Sequence, residues 1–458
     1  MIDAIIVMGY VALLVWLSLR GGNGIAGGDE FAGGGRTYGS FVIFASLSAS
    51  YVGGGYSSGN ASETFATGIG TTVALLGFSV SMVAVGLFIA PRVGRFTGIY
   101  TVGGIMEKTY GKSARILTGL FAFLCCAGVV GAQMETMGVV FHSLLGISPT
   151  LGILLGGGVV LLYSTFGGMR SVIVADILQF LLLAVGMPLL LCGALQKAGG
   201  LTAVLHAVPA NRFSVFSGRT PIEFLSLCGT LALGEALAPP YTQRLLIGKN
   251  PRVTARGTVL SGLFSAPFFL ITAAVGLCAL ALEVTSQPAE AMPALIKSVL
   301  PVGVRGVVMA AMVSIMLSSS DSFLNSASVS LVSDTIERLT PLSEQKRLRY
   351  MRLVNLLTGL TAMVAAFVLP DVFSILSVAY SFWCPLILIP LCAAFFGVDS
   401  TETAFLGGVA AGVLVIFLWT LCRNPFGLGA DMAGLLANAA VFSALTRRHQ
   451  SCRKIRKI

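Results

Sequence analysis

Charge is what this 458-residue sequence has least of: Lys, Arg, Asp and Glu together make up 10% of it. Soluble globular domains carry about 25%, so water is not the main solvent of this chain. Histidine is scarcer still. His142, His206 and His449 lie scattered near ends and loops, and no metal-hydrolase or nucleophile motif accompanies them, which argues against an enzyme. The nine cysteines, mostly inside apolar runs, show no metal-ligand spacing and read as space-filling thiols rather than a disulfide framework. The triple Gly53-Gly54-Gly55 lacks the Lys-Ser/Thr of a phosphate loop. No polar stretch is long enough to fold as a separate soluble module.

Hydrophobic residues fill the space, at 55% of the chain. They fall into apolar stretches long enough to cross a hydrocarbon core of about 30 Å. The expected spans are 2–19, 40–59, 68–91, 114–142, 147–163, 171–195, 222–246, 257–282, 306–331, 353–369, 372–396, 403–421 and 429–445. The fold class is therefore all-α integral membrane, with about thirteen helices in one domain over 1–458. The first stretch has Asp3 where a signal peptide carries basic residues, so it reads as a retained helix. Alternate loops divide the cations unequally: one set holds 23 of the 29 Lys and Arg, including the tail 446–458. The positive-inside rule then puts the N-terminus outside and the C-terminus in the cytoplasm of a plasma-membrane protein, and the net charge of +10 needs no nucleic acid.

Two spans are interrupted. Ser50-Tyr51-Val52-Gly53-Gly54-Gly55 breaks the second and Gly234-Glu235-Ala236-Leu237-Ala238-Pro239-Pro240 the seventh. Gly weakens a helix and Pro removes an amide while clashing with the preceding turn. Free backbone groups at membrane depth are tolerated only where they are buried in protein or line a cavity. The breaks lie five spans apart, at corresponding places in two five-helix halves of opposite direction, as in an inverted-repeat transporter with its site between the halves. Ordinary kinks from close packing are the alternative.

Charged groups within spans are costly and usually functional. The ones to explain are Glu135, Asp176, Glu235 and Asp321. Asp176 has an interfacial alternative, paired with Arg170. Ser318, Ser322 and Asn325 recur at i, i+4 and i+7 and share a face, flanked by Ser319 and Asp321. Hydroxyls, a carboxylate and unwound carbonyls form the all-oxygen environment a hard cation prefers. Asn60-Ala61-Ser62 matches a glycosylation sequon, at a depth that argues against attachment.

These residues resemble the solute:sodium symporter family across essentially the whole chain. The resemblance rests on Asp29-Glu30-Phe31-Ala32-Gly33-Gly34-Gly35-Arg36, the stretch from Gly167-Gly168 to Gln179, Gln243-Arg244, and Ser318 to Ser328. Val52-Gly53-Gly54-Gly55-Tyr56 and Ser318-Ser319-Ser320-Asp321-Ser322 are most similar to the high-affinity choline carriers. The resemblance implies a leucine-transporter-type 5+5 inverted repeat, with an extra N-terminal helix at 2–19, repeats at 40–195 and 222–396, and two further helices within 403–445.

It also implies a first Na⁺ held by the carbonyls of Ala49, Val52 and Ile315 and the hydroxyls of Ser318 and Ser319. A second would use Asp176, Ser318, Asp321 and Ser322. The aromatic cage of the choline carriers aligns with Tyr51, Glu135, Ala238 and Ser377, so most of that wall is missing and choline itself is not the expected solute. Glu135 and Glu235 would instead neutralise an amine, with Tyr56, Gln133, Tyr380 and Trp383 as hydrogen-bonding or stacking partners. Glu235 as a cap for freed amides and Trp383 facing lipid are the alternatives.

The expected function is sodium-coupled import of a small polar solute by alternating access, with one or two Na⁺ per cycle. The expected partners are that solute and the bilayer, and the chain is expected to act as a monomer. Proton coupling through Asp176 and Asp321 is the nearest rival. A membrane sensor is the other, and only about a dozen residues follow the last span for an output domain.

Overall fold

In the computed structural model, residues 2–22, 25, 27–33, 36–368 and 372–455 are described, without the side chains of 372–375, 377 and 452–455. Among them there is no strand, only an isolated parallel bridge between Tyr38 and Gly248. Fifteen main helices carry the fold: α1 Ile2–Gly22, α2 Ser40–Tyr51, α3 Asn60–Thr67, α4 Gly70–Ala84, α5 Lys112–Leu145, α6 Pro149–Ala198, α7 Pro221–Leu233, α8 Pro239–Leu246, α9 Pro251–Ala281, α10 Val304–Val329, α11 Glu344–Val368, α12 Val372–Ser381, α13 Cys384–Phe396, α14 Glu402–Leu421 and α15 Ala430–Ile455. Eight helical stretches of the described residues are long and apolar enough to cross a bilayer.

The shorter helices have local causes. The second and seventh expected spans are divided at the anticipated breaks, giving α2 with α3 and α7 with α8. The stretch at 372–396, expected as one helix, is also two. Pro385 lies in the first turn of α13, and its ring cannot tolerate a helical carbonyl four residues earlier. α12 therefore stops at Ser381 and the chain turns at Phe382 and Trp383 before resuming. The expected spans 147–163 and 171–195 are two helical arms of α6, separated at Gly168, whose φ 55° and ψ −165° are not helical. Tyr163 and Asp176 would be about 20 Å apart on a straight helix. Instead they bond to adjacent residues of α10, Leu317 and Ser318. The chain thus folds back at Gly168, where a Cβ would lie 2.8 Å from the Phe31 ring.

α10 is the axis of the bundle. In the apolar stretch it begins, 94% of the most hydrophobic window is buried, against 28–56% for the other long stretches. α1 is pinned beside it by Asp3, which accepts from the Gly303 and Gly306 amides and pairs with Arg305 at 2.6 Å. α2 and α8 lie antiparallel against α10. Tyr38 exchanges backbone bonds with Ile247 and Lys249, Ser46 meets Arg244, and the Tyr51 ring lies 6.4 Å from Tyr241. The two broken spans therefore meet at their breaks, beside the serine-rich turns of α10.

Candidate functional site

The first break is built from a tight backbone turn. Val52 has φ −74° and ψ 67°, and the Gly53 amide donates to the Tyr51 carbonyl at 2.7 Å, which is an inverse γ-turn. Gly54 leaves the helical ladder too, donating to Gln133 Oε1 at 2.8 Å. Among the described residues, no amide outside the helix donates to the Ala49 or Val52 carbonyl. α10 packs tightly on this turn: a Cβ on Gly53 would lie 2.9 Å from both Ser319 Oγ and Gln133 Nε2. Ser319 Oγ donates to the Ser50 carbonyl at 2.9 Å. Freed carbonyls and serine hydroxyls thus converge where two helices touch, an all-oxygen set that fits a hard monovalent cation.

One turn away is a buried charge cluster. Asp176 and Arg244 form an ion pair at 2.8 Å with neither side chain exposed. Asp176 also accepts from Ser318 at 2.7 Å and from Ser46 at 2.5 Å. Arg244 further donates to Ser46, to the Pro240 carbonyl and, at 2.6 Å, to Ser322. A buried pair of this kind holds only when its remaining hydrogen-bonding capacity is met. Asp321 is less well served: Ser322 reaches its Oδ1 at 3.3 Å, the Tyr163 hydroxyl lies nearby, and its Oδ2 lacks a hydrogen bond of good geometry. Both amide atoms of Asn325, one turn on, lack partners as well. Two carboxylates thus share one guanidinium beside the serines.

The second break is closed by side chains. Leu237, with φ 54°, turns the chain, an uncommon conformation for a branched residue. Its carbonyl accepts from Thr242 at 2.7 Å, and the Ala236 carbonyl accepts from Trp383 Nε1 at 3.3 Å. The Glu235 carboxylate accepts from the hydroxyls of Tyr241 and Tyr380. Beyond this layer is a cavity of about 320 Å³ with Tyr56 and Tyr380 at its inner end and Leu75, Leu227, Leu231 and Leu376 in its walls.

The structure brings together Tyr56, Glu235, Ala238, Tyr380 and Trp383 at the second break, and Ala49, Val52, Ser318 and Ser319 at the first, with Ile315 one turn earlier on α10. Tyr51 lies between, its hydroxyl donating to the Ser261 carbonyl at 2.7 Å and its ring 5.1 Å from Phe78. Gln133 holds the first break open. Glu135, two residues on along α5, points to another face and is only half-buried. The Ser377 side chain lies outside the described residues.

Three alternatives from the sequence do not hold. Arg170 pairs with Glu30 at 2.9 Å rather than with Asp176. Glu235 takes phenols rather than backbone amides. Trp383 is fully buried instead of facing lipid. Arg244 of the Gln243-Arg244 motif is fully buried in the core. Asn60 is buried as well, with its amide committed to Phe269 and Thr272. Sequence reasoning missed Arg244 and Tyr241 as members of the site. The signal for the first was that two intramembrane carboxylates demand a cation.

The family model described as the sodium:solute symporter family matches residues 31–412. The chain is 27% identical over 204 residues to the high-affinity proline transporter PutP of Bacillus subtilis (strain 168), covering 42% of this chain and 43% of that one. It is 26% identical over 254 residues to the high affinity choline transporter 1 of Homo sapiens, covering 53% of this chain and 44% of that one. The matched stretches thus span under half the length of these two curated relatives. Among solved structures, a Na⁺-coupled sialic acid symporter in a substrate-bound outward-open state aligns with a TM-score of 0.85 and 18% identity over 98% of both chains. At that identity the likeness establishes the fold, which is of the leucine-transporter type. This chain is a multi-pass membrane protein and belongs to the sodium:solute symporter family, a family of transporters rather than enzymes.

Proposed function

We propose that the chain is a sodium-coupled symporter importing a small polar, amine-bearing organic solute by alternating access. The observation that carries this reading is the contact of the Val52 turn with Ser319, which sets freed carbonyls of α2 against hydroxyls of α10. A first Na⁺ would take the carbonyls of Ala49, Val52 and Ile315 and the hydroxyls of Ser318 and Ser319. Such an ion ties α2 to α10, so it favours the arrangement in which they touch, by as much as its affinity differs between the two states. The repeats at 40–195 and 222–396 would rock about this joint.

A second ion is supported by the two carboxylates that share one guanidinium. Of its four side chains, Asp176 and Ser322 already accept from Arg244, so Asp321 would be its principal ligand, with Ser318 and Ser322 beside it. A proton on Asp321 would meet the same electrostatic need, which makes the driving ion the point to test.

Glu235 supports the amine. Its carboxylate lies behind Tyr56 and Tyr380, where an ammonium reaching the inner end of the cavity would be stabilised by the carboxylate and the ring faces together. With the cation-rich loops in the cytoplasm, the cavity opens to the outside of a plasma membrane and the carrier, acting as a monomer, faces outward.

Uptake into proteoliposomes under imposed gradients tests this. Replacing Ser318 and Ser319 by Ala removes two oxygen ligands. At about 1.5–3 kcal/mol for each contact to a charged group, the sodium concentration for half-maximal uptake should rise more than tenfold. The variant also loses the Ser318 bond to buried Asp176, so stability without sodium should fall too, and the diagnostic change is loss of the extra stability that sodium adds. Undiminished sodium-driven uptake by the double variant sinks the site assignment. Flux driven by a pH gradient alone sinks sodium coupling.

A further inference from the structure

The cavity has polar lining that neither the sodium site nor Glu235 uses. Asn60 has its capacity filled: Nδ2 donates to the Phe269 carbonyl and to Thr272, and Oδ1 accepts from Thr72 at 2.8 Å. Thr230 is engaged by Asp431 at 2.6 Å. Two donors remain. Thr71 Oγ1 and Arg219 Nη1 both belong to residues that line the cavity, both are shielded from solvent, and neither has a hydrogen-bond partner. Thr71 is 8% exposed. Arg219 Nη2 lies 3.9 Å from Glu63 Oε2, too far for a direct hydrogen bond. A guanidinium has five N–H donors and no acceptor, so only an incoming acceptor can satisfy it.

Arg219 is not a loose surface side chain. The segment that carries it is clamped to the turn between α3 and α4: the Ile69 amide donates to the Arg212 carbonyl at 2.9 Å and the Gly70 amide to Ser217 Oγ at 3.0 Å. Gly68, with φ 100°, makes the clamp possible, because a Cβ there would meet the Arg212 carbonyl oxygen at 2.2 Å. The backbone approaching Arg219 is therefore held over the cavity.

We infer that this cavity is a carboxylate-binding site, in which the solute's carboxylate accepts from Arg219 Nη1 and Thr71 Oγ1. Charge-assisted bonds from Arg to carboxylate are among the stronger and more directional contacts available. A volume of about 320 Å³ is at the small end for ligand cavities, which suits a solute of amino-acid size. Taken with the amine reading of Glu235, on which this step rests, the cavity has a guanidinium, loosely countered by Glu63, at its rim and a carboxylate beyond its floor. A zwitterion then enters ammonium first, with its carboxylate left at Arg219.

The test is direct binding to the purified full chain in sodium-containing buffer, read by titration calorimetry and thermal unfolding. The probes are the common α-amino acids, the amines made from them by decarboxylation, and the hydroxy acids in which the amine is replaced. At least one amino acid should bind, and its decarboxylated amine should bind at least tenfold more weakly. Arg219→Gln should erase that ratio and Arg219→Lys should keep part of it. Thr71→Val, nearly isosteric, should reduce it about threefold, and serves where Arg219→Gln fails to fold. The inference is overturned if no carboxylate-bearing probe binds, if the amines bind as tightly as the amino acids, or if the ratio survives in both variants. Binding of amines alone sinks the carboxylate site and leaves the amine reading standing. Arg219-dependent binding of hydroxy acids as tight as that of their amino acids does the reverse.

Discussion

The two ends of the bundle use the same residue types and close in different ways. At the cation-rich end, Arg115 reaches buried Asp334 at 2.8 Å, Glu107 at 2.6 Å and the Ser333 carbonyl at 3.1 Å. Thr101 adds a bond to Asp334 at 2.7 Å, and Arg338 adds one to Glu107 at 2.9 Å. Glycines let the backbone close on this knot: a Cβ on Gly103 would sit 2.4 Å from the Asp334 carboxyl carbon. The depression at that end, about 430 Å³, is lined by the network's own charged side chains. At the other end Asp3 holds Arg305 at 2.6 Å beside α10, but the pair over the open cavity, Glu63 with Arg219, is 3.9 Å apart. The difference teaches which end is locked. A buried, multiply bonded pair is strongly destabilised when one partner is removed, while a half-exposed pair contributes about 0–1 kcal/mol. In the proposed transport cycle, opening the cation-rich end is then the expensive step and the other end is the one that exchanges solute.

The largest effect should come from breaking the lock. Arg115→Gln leaves Asp334 buried without its cation, a change worth about 3–5 kcal/mol, and it acts on the closed arrangement in which the two touch. The variant should populate the state open at the cation-rich end. Asn325→Cys, placed between the sodium site and the lock, should be alkylated from that side only when Arg115→Gln is also present. Equal labelling with and without Arg115→Gln removes the lock from this account.

A smaller effect is expected at Arg347, which pairs with Asp29 at 2.6 Å, Glu344 at 2.5 Å and Glu337 at 3.4 Å. The guanidinium is buried, but the Asp29 and Glu344 side chains are 67% and 55% exposed, so solvent screens the pairs. Arg347→Gln should lower stability by about 1 kcal/mol, seen as a modest drop in unfolding temperature, with Asn325→Cys still protected. If the variant opens the path as fully as Arg115→Gln does, the lock extends to the surface cluster.

How much of this was legible in the sequence depends on whether the cause was local. Gly53 to Gly55 weaken a helix and Pro239-Pro240 cannot continue one, so both breaks were readable residue by residue, although Gly156-Gly157-Gly158 stays helical within α6 and shows that packing decides as well. The division before Pro385 has the same kind of cause, but a single proline in an apolar run is common in membrane helices and did not announce itself. The serines of α10 could be placed on one face by spacing alone. Their partners could not. Asp176 was offered Arg170, six residues away, and the fold supplied Arg244, 68 residues away. Asp334 lay outside the reading because hydrophobicity fades near 331, while the helical segment continues to Leu339. Thr71 and Arg219 carry no motif, and only the cavity distinguishes them from ordinary boundary residues.

The smallest effect, and the one that most sharpens the contrast between the ends, is expected at Glu63. Its carboxylate is the acceptor nearest to Arg219 on the rim, yet at 3.9 Å and with side chains 27% and 28% exposed it holds the guanidinium weakly. Glu63→Gln keeps the shape and removes the charge, so stability should change by less than about 0.5 kcal/mol and solvent should absorb most of that. Arg219 loses its competitor for a solute carboxylate. Affinity for a zwitterion should therefore rise about two- to threefold, while the labelling of Asn325→Cys stays as in the parent. A loss of stability comparable to that of Arg115→Gln would mean that Glu63 and Arg219 form a second lock, and that the two ends are closed alike after all.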